Sequence, residues 1–463
     1  MAKSKVDILN GPLISSIIRY AIPLLFVGLI QNLFNAVDIM VLRAMAGSDT
    51  AVASVGAASS IIHLLVTSFF GLSNGTRIVL ARLLGAKEEK DARKTVSTAI
   101  LTALILGIIV AIAGISCTEW FLQLTRCPSD CYEGARIYMW IYLSAAPAIL
   151  LYNFGSSVIN TTGDSKNPLY YMMISGILNV LMNFLFCIVL KEKVAAVAIA
   201  TALSQLAGAL LVLRHLIRLD GPCRLDLHRL LLDLPILGKL LRYGLPLALT
   251  QALYPLANLQ IQTAVNSFGS AAMAGNAAMA SLETLASTIA ISPWASATTV
   301  FVGQNLGAGN RHRVTKSTLC TLAISSALGI FLGITGTIFS RALLKLYVTE
   351  ELAIQFAQVR MMSTLLFVGI NALNNVLSHY IQAFGYTVFC SVNSVVSVLL
   401  FRVFWMQLLY PRFLEQGLDN FANYGFITRC FLVSWCLVLV VNFCFSAYLY
   451  FAKFRKGSLK QTL

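Results

Sequence analysis

Apolar runs of about twenty residues recur along this chain from end to end, and they restrict its fold more than any other feature. A run of that length crosses a bilayer as a helix, because only a helix or a closed barrel pairs every backbone N–H and C=O away from water. The runs predict about twelve helices, near residues 17–42, 51–81, 95–117, 134–160, 168–190, 194–217, 239–267, 272–304, 315–339, 354–384, 389–410 and 424–452. The fold class is therefore all-α, a polytopic membrane protein. Only 11% of the 463 residues are charged, against about 25% in a soluble domain. The formal charge of +15 does not call for nucleic acid, because Lys and Arg gather in the cytoplasmic loops of membrane proteins. The polar start, MAKSKVDILNGPL, lacks a signal-peptide pattern, so the first span is expected to stay in place.

Basic residues alternate between the two sides. Lys87, Lys90, Arg93, Lys94, Lys166, the stretch from Arg214 to Lys239, and Arg311, Arg313 and Lys316 share one side. Lys3, Lys5, Lys453, Arg455, Lys456 and Lys460 add the ends of the chain to it. The other side mixes Arg126, Lys191, Lys193, Arg341, Lys345 and Arg412 with acids. By the positive-inside rule both termini are expected to be cytoplasmic in a multi-pass cell-membrane protein. The ten cysteines mostly sit in apolar runs as small hydrophobes. Cys127 and Cys131 alone are close in a loop, where a disulfide is one alternative. No Cys/His constellation suggests a metal site, so no metal or organic cofactor is expected.

The chain repeats itself. PLISSIIRYAIPL from Pro12 aligns with PILGKLLRYGLPL from Pro235, so that Arg19, Tyr20, Pro23 and Asn35 pair with Arg242, Tyr243, Pro246 and Asn258 at a spacing of 223. Ala86 and Ala308, Asn153 and Asn375, and Gly163 and Gly385 pair at 222. Each copy covers about six helices. Because six is even, both copies enter from the same side and are related by an axis along the membrane normal. Two pseudo-symmetric six-helix lobes follow, residues 1–220 and 221–463, with the polar stretch around Gly221-Pro222 as linker.

Polar residues fall in stripes. Gln31, Asn35 and Asp38 share one face of the first helix, and Gln251, Tyr254, Asn258 and Gln262 share one face of the seventh. Asn179 and Asn183 mark the fifth helix, while Asn371, Asn375, Ser378 and Gln382 mark the tenth. Intramembrane amides often only join helices, but matched stripes on pseudo-equivalent helices also fit two walls of a water-filled cavity. Asp38 lies ~7 Å inside the end of its helix; the alternatives are a proton-loading carboxylate or a solvated one paired with Arg43. Glu283, ~16 Å into the eighth helix, is a second candidate. Arg402 is expected as a counter-ion whose partner the sequence does not identify, and Arg77 as a snorkelling side chain. His63 and His379 are expected to pack or hydrogen-bond.

These residues resemble the multidrug and toxic compound extrusion (MATE) transporters of the bacterial type, within the multidrug/oligosaccharidyl-lipid/polysaccharide flippase superfamily. The markers are SLETLASTIAISPWASATTVFVGQNLGAGN (Ser281–Asn310), NLFNAVDIMV, GLSNGTRIVLARLLGAK, ALSQ, VSW and FRVFW. The resemblance implies two lobes around a V-shaped cavity and export of organic compounds against an inward proton or sodium gradient. It assigns the coupling ion to Asp38, Asn179, Asn183 and Glu283. Many prokaryotic members carry an Asp where this chain has Asn183, which removes the second carboxylate beside Asp38. Gln31, Phe34, Asn35, Asn153, Gln251, Tyr254, Asn258, Gln262, Met279, Asn375 and Ser378 are the candidate cavity residues.

The expected activity is antiport that exports amphipathic organic compounds, drugs or toxins with cationic ones among them, on inward H+ or Na+ flow, by a chain acting as a monomer with small organic substrates and lipid as its partners. A flippase of a lipid-linked or larger substrate is the alternative. No HExxH, GxSxG or Walker loop occurs, so neither an embedded enzyme nor an ATP-driven pump is expected.

Overall fold

The structure is a computed structural model that describes residues 5–46, 49–125 and 127–454. Lys3, Arg126, Arg455, Lys456 and Lys460, and the side chains of Asn35 and His63, lie outside the described residues. Twelve long helical segments follow one another: α1 Leu13–Ala46, α2 Asp49–Ala86, α3 Glu89–Ser116, α4 Ser129–Ser144 with Ala146–Thr161, α5 Lys166–Val189 and α6 Lys193–Arg218, then α7 Leu234–Asn266, α8 Ser270–Gly307, α9 Arg311–Ile338, α10 Glu351–Ala383, α11 Thr387–Leu414 and α12 Asn420–Phe451. Nine of these are long and apolar enough to cross a membrane among the described residues, or ten when the two parts of α4 count as one span. The other two, α2 and α7, carry basic residues in their otherwise apolar runs: Arg77 and Arg82, and Lys239 and Arg242.

The breaks have local causes. The two parts of α4 meet at 46° beside Ala145, and Pro147, which has no N–H to give, opens the second part. In α10 the chain tightens into a 3₁₀ turn at Leu365–Phe367 before the helix resumes, which is the same place one repeat later. In α8, Pro293 opens the segment after Ile291 for the same reason as Pro147. Gly71 and Gly75 of α2 allow its backbone to touch that of α7: a Cβ on Gly75 would stand 2.6 Å from the Leu240 carbonyl oxygen, and one on Gly71 would stand 2.3 Å from the Ala248 nitrogen.

Contacts group the chain into two units, Met1–Asp7 with Ile22–Ala248, and Ile8–Ala21 with Leu249–Leu463. In the first unit, one apolar cluster joins α2, α3, α4 and α6 to Cys223 and Leu225 of the linker and to Ile236, Leu240 and Ala248 of α7. The linker is tied to α3 by Ser97 and Thr98, whose hydroxyls accept from the backbone N–H groups of Leu231 and Asp233 at 2.7 and 3.1 Å. Asp233 caps α7 through the Ile236 N–H and reaches Lys94 at 3.2 Å. Those two partners, the N–H first, hold its carboxyl below the usual carboxylate range. Burial in the same cluster pushes the Cys223 thiol up to about 12. In the second unit, Arg313 holds the start of the chain by donating to the carbonyls of Ile8 and Gly11 at 3.0 and 2.9 Å. Tyr20 packs edge-on against Phe301 with centroids 5.7 Å apart.

Candidate functional site

In the first unit, α1 and α5 bring Asp38 against Asn183. The Asn183 amide donates to Asp38 Oδ1 at 2.5 Å and to Asn179 Oδ1 at 3.2 Å. Asn179 in turn donates to the hydroxyl of Thr201 on α6 at 3.2 Å. The i, i+4 spacing of the two asparagines aligns them one turn apart, so the chain Thr201–Asn179–Asn183–Asp38 runs across three helices. Both asparagines are buried, Asn183 completely, and the Asn183 Oδ1 atom has no hydrogen-bond partner among the described residues. Asp38 makes no ion pair among them either, with Arg43 or with any other cation. Tyr138 and Tyr142 of α4 stack on each other with centroids 6.0 Å apart. Among the described residues the carboxylate is therefore held by one neutral donor, Asn183, and by no cation, an arrangement that tolerates both of its protonation states.

The remaining candidates of this unit are placed differently. The Phe34 ring lies directly over Gly176 of α5, where any Cβ would overlap it. Gln31 is half-buried on α1. Asn153 donates to the Ile149 carbonyl of its own helix at 2.9 Å. Cys127 and Cys131 are both free thiols.

In the second unit, Glu283 does not stand alone. Arg360 of α10 takes it bidentately, Nε to Oε1 at 3.0 Å and Nη2 to Oε2 at 2.7 Å, and Thr364 also donates to it. Arg360 further donates to Asn276, whose amide reaches Gln262 Oε1 at 3.0 Å. Arg402 of α11, 4% exposed, donates to Asn258 Oδ1 at 2.7 Å and lies within 3.4 Å of the Ser434 hydroxyl. The Phe431 ring takes both guanidinium groups, Arg402 at 4.3 Å and Arg360 at 5.0 Å from its centroid.

Gln251, Tyr254, Asn258 and Gln262 are all exposed along one face of α7. A row of amides is costly against hydrocarbon, and two of them are partnered within the unit, Asn258 by Arg402 and Gln262 by Asn276. Asn375 donates to the carbonyl of Asn371 at 2.9 Å, repeating the arrangement of Asn153 one copy later. Ser378 accepts from Gln382 at 3.2 Å, and His379 bonds Thr299 at 2.8 Å. Met279 is fully buried in an apolar cluster with Leu282, Ile354 and Met361.

Thr201, Asn276, Arg360, Phe431 and Ser434 were not among the residues expected from sequence. The available signal was a basic residue, Arg360, about 14 Å into an apolar helix that starts at Glu351, and a mid-membrane acid that needed a partner.

The MatE family model matches residues 23–185 and again 246–405. The chain belongs to the MatE family. The starts of the two matches differ by 223 residues, the spacing read from the repeat. MatE proteins are membrane transporters that act on small organic substrates, and are not enzymes. Among curated relatives, the probable multidrug resistance protein YoeA of Bacillus subtilis (strain 168) is 26% identical over 386 residues, covering 82% of this chain and 83% of that one. An FAD transporter of Shewanella oneidensis is 24% identical over 344 residues, covering 70% and 75%. A solved MATE structure in a bent conformation superposes with a TM-score of 0.87 at 19% identity, over 99% of both chains. A MOP-superfamily transporter of Pyrococcus furiosus gives 0.85 at 19% identity, over 97% of this chain and 99% of the other. These two share the MatE fold with this chain.

Proposed function

We propose that this MatE protein is a proton-coupled antiporter of the cell membrane that exports amphipathic organic compounds, cationic ones among them, by alternating access. The observation that carries the reading is Asp38, a carboxylate inside a membrane helix with Asn183 as donor and no cation paired to it among the described residues. A single acid held by a neutral amide exchanges one proton without leaving a second charge behind. With Asn183 in place of a second carboxylate, a bound sodium ion would meet one negative charge rather than two, which favours H+ over Na+. Glu283 has less freedom to serve as the coupling group while Arg360 and Thr364 occupy it. The chain acts as a monomer with both termini in the cytoplasm.

The test is dye uptake into vesicles holding the purified protein, under an imposed proton gradient and then a sodium gradient. A proton gradient is expected to drive accumulation, and Asp38→Asn is expected to reduce it at least tenfold, as loss of an acid–base group of this kind does. Accumulation on sodium alone would refute proton coupling. No accumulation of any dye, together with movement of a labelled lipid-linked substrate, would favour a flippase instead.

A further inference from the structure

Arg402 is the one buried cation of the second unit that no carboxylate neutralises among the described residues. Its neighbours are an amide, a hydroxyl and a ring: Asn258, Ser434 and Phe431. The nearby acid, Glu283, already has both oxygens on Arg360. Arg360 and Arg402 share one aromatic ring, so the cluster carries two guanidinium groups and one carboxylate. Arg402 also falls near the middle of the 28-residue span Thr387–Leu414. A charge at that depth is costly, and such residues ordinarily serve a pathway or a ligand.

The backbone around Arg402 is a second, independent observation. Residues Phe401–Phe404 form one α-helical turn between two π-helical stretches, Val395–Leu400 and Trp405–Leu409. A π-helical turn is rare, wider than an α-helical one, and when set inside an α-helix is frequently at a functional site. Access is short. Arg402 Nη1 lies one hydrogen bond behind Asn258, which is exposed on the polar face of α7. Tyr254, one turn earlier on that face and 39% exposed, offers an aromatic surface beside it. An acidic group arriving on this face can displace the Asn258 oxygen and take the guanidinium bidentately, as carboxylates and phosphates do.

We propose that Arg402, reached through Asn258, is the recognition site for an acidic group on the exported compound, so that zwitterionic and anionic amphiphiles with a carboxylate or phosphate are preferred among its amphipathic cargo. This rests on the export reading above and names its cargo.

The experiment measures equilibrium binding by fluorescence anisotropy, using the full chain in detergent and two rhodamine dyes that differ only in a free carboxylate or its methyl ester. The wild type is expected to bind the carboxylate at least about tenfold more tightly, the range for a hydrogen bond to a charged group. Asn258→Asp places a carboxylate on Arg402 with the same shape as the amide and is expected to remove that preference. Arg402→Lys keeps the charge but loses the fork, and is expected to keep only part of it. Should Arg402→Lys not fold, Asn258→Asp decides alone. Equal binding of the two dyes by the wild type, no binding of the carboxylate, or an unchanged preference in Asn258→Asp overturns the proposal. Gradient-driven uptake in vesicles separates the two readings. A carboxylate preference without any driven uptake sinks antiport and leaves this site standing, whereas driven uptake with equal binding sinks this site alone.

Discussion

Removing Glu283 strands Arg360 inside the membrane domain, because Asn276 and the Phe431 face cannot replace a bidentate carboxylate. Breaking a buried pair from one side costs about 3–5 kcal/mol, mostly for the charge left behind. Glu283→Gln is therefore expected to lower unfolding stability by at least about 3 kcal/mol, read from denaturation in detergent. In Glu283→Gln with Arg360→Met both charges are gone, and Asn276 still has Tyr424 and Gln262 as partners. That double variant is expected to recover most of the loss, since buried pairs often exchange for apolar groups near neutrality. A single variant as stable as the wild type would mean that the pair is loose enough for Glu283 to act in coupling after all. Asp38→Asn has no such stability cost to carry, because Asn183 can still donate to an amide oxygen at position 38.

At the scale of elements, the two copies end corresponding helices with the same hydrogen bonds. After α2, the Lys87 N–H reaches Leu84 and the Glu88 N–H reaches Leu83, at 3.2 and 3.0 Å. After α8, Gly309 reaches Leu306 and Asn310 reaches Asn305, at 3.0 and 2.8 Å. This close requires a left-handed residue, and the positions have φ of 60° at Lys87 and 72° at Gly309. A side chain pays for that conformation and glycine does not, so Lys87→Gly is expected to stabilise the protein by about 1 kcal/mol and Gly309→Ala to cost about as much. Thermal midpoints of the two variants in detergent should move in opposite directions. Equal shifts would show that the two helix ends are not equivalent.

These elements were the most legible part of the chain. Twelve apolar runs gave twelve helical segments, because length and hydropathy are local properties. The repeat of Gly163 and Gly385 was visible as sequence, and both have positive φ. Asn179 and Asn183 could be paired from their spacing, since four residues is one helical turn. The partners across helices were not legible. Arg360 is 77 residues from Glu283 and Arg402 is 144 from Asn258, and no periodicity within one helix encodes which face meets which. The π-helical flanks of Arg402 were hidden for a related reason: VVSVLL and WMQLL are apolar stretches that read as ordinary helix.

At the scale of the whole molecule, the chain's order and its contacts divide at different places. Ile8–Ala21 packs in the unit that holds α8–α12, and Ile236, Leu240 and Ala248 pack in the unit that holds α2–α6. A cut at Gly221, where φ is +96° and nothing lies within 4 Å of a Cβ, leaves each fragment short of part of its own packing. Residues 1–220 lose Cys223, Leu225 and the α7 side chains from their main cluster. Residues 221–463 lose Tyr20 and Ile17, both fully buried, and the carbonyls of Ile8 and Gly11 that accept from Arg313 Nη2. Within lipid, close packing and satisfied polar groups hold helices together, and each fragment lacks some of both. Co-expressed fragments are expected to elute together from size exclusion at the position of the intact chain. Either fragment expressed alone is expected to aggregate. If residues 1–220 alone elute as a sharp monomer, the segment from Cys223 to Ala248 contributes little to the first unit, and each copy of the repeat folds by itself.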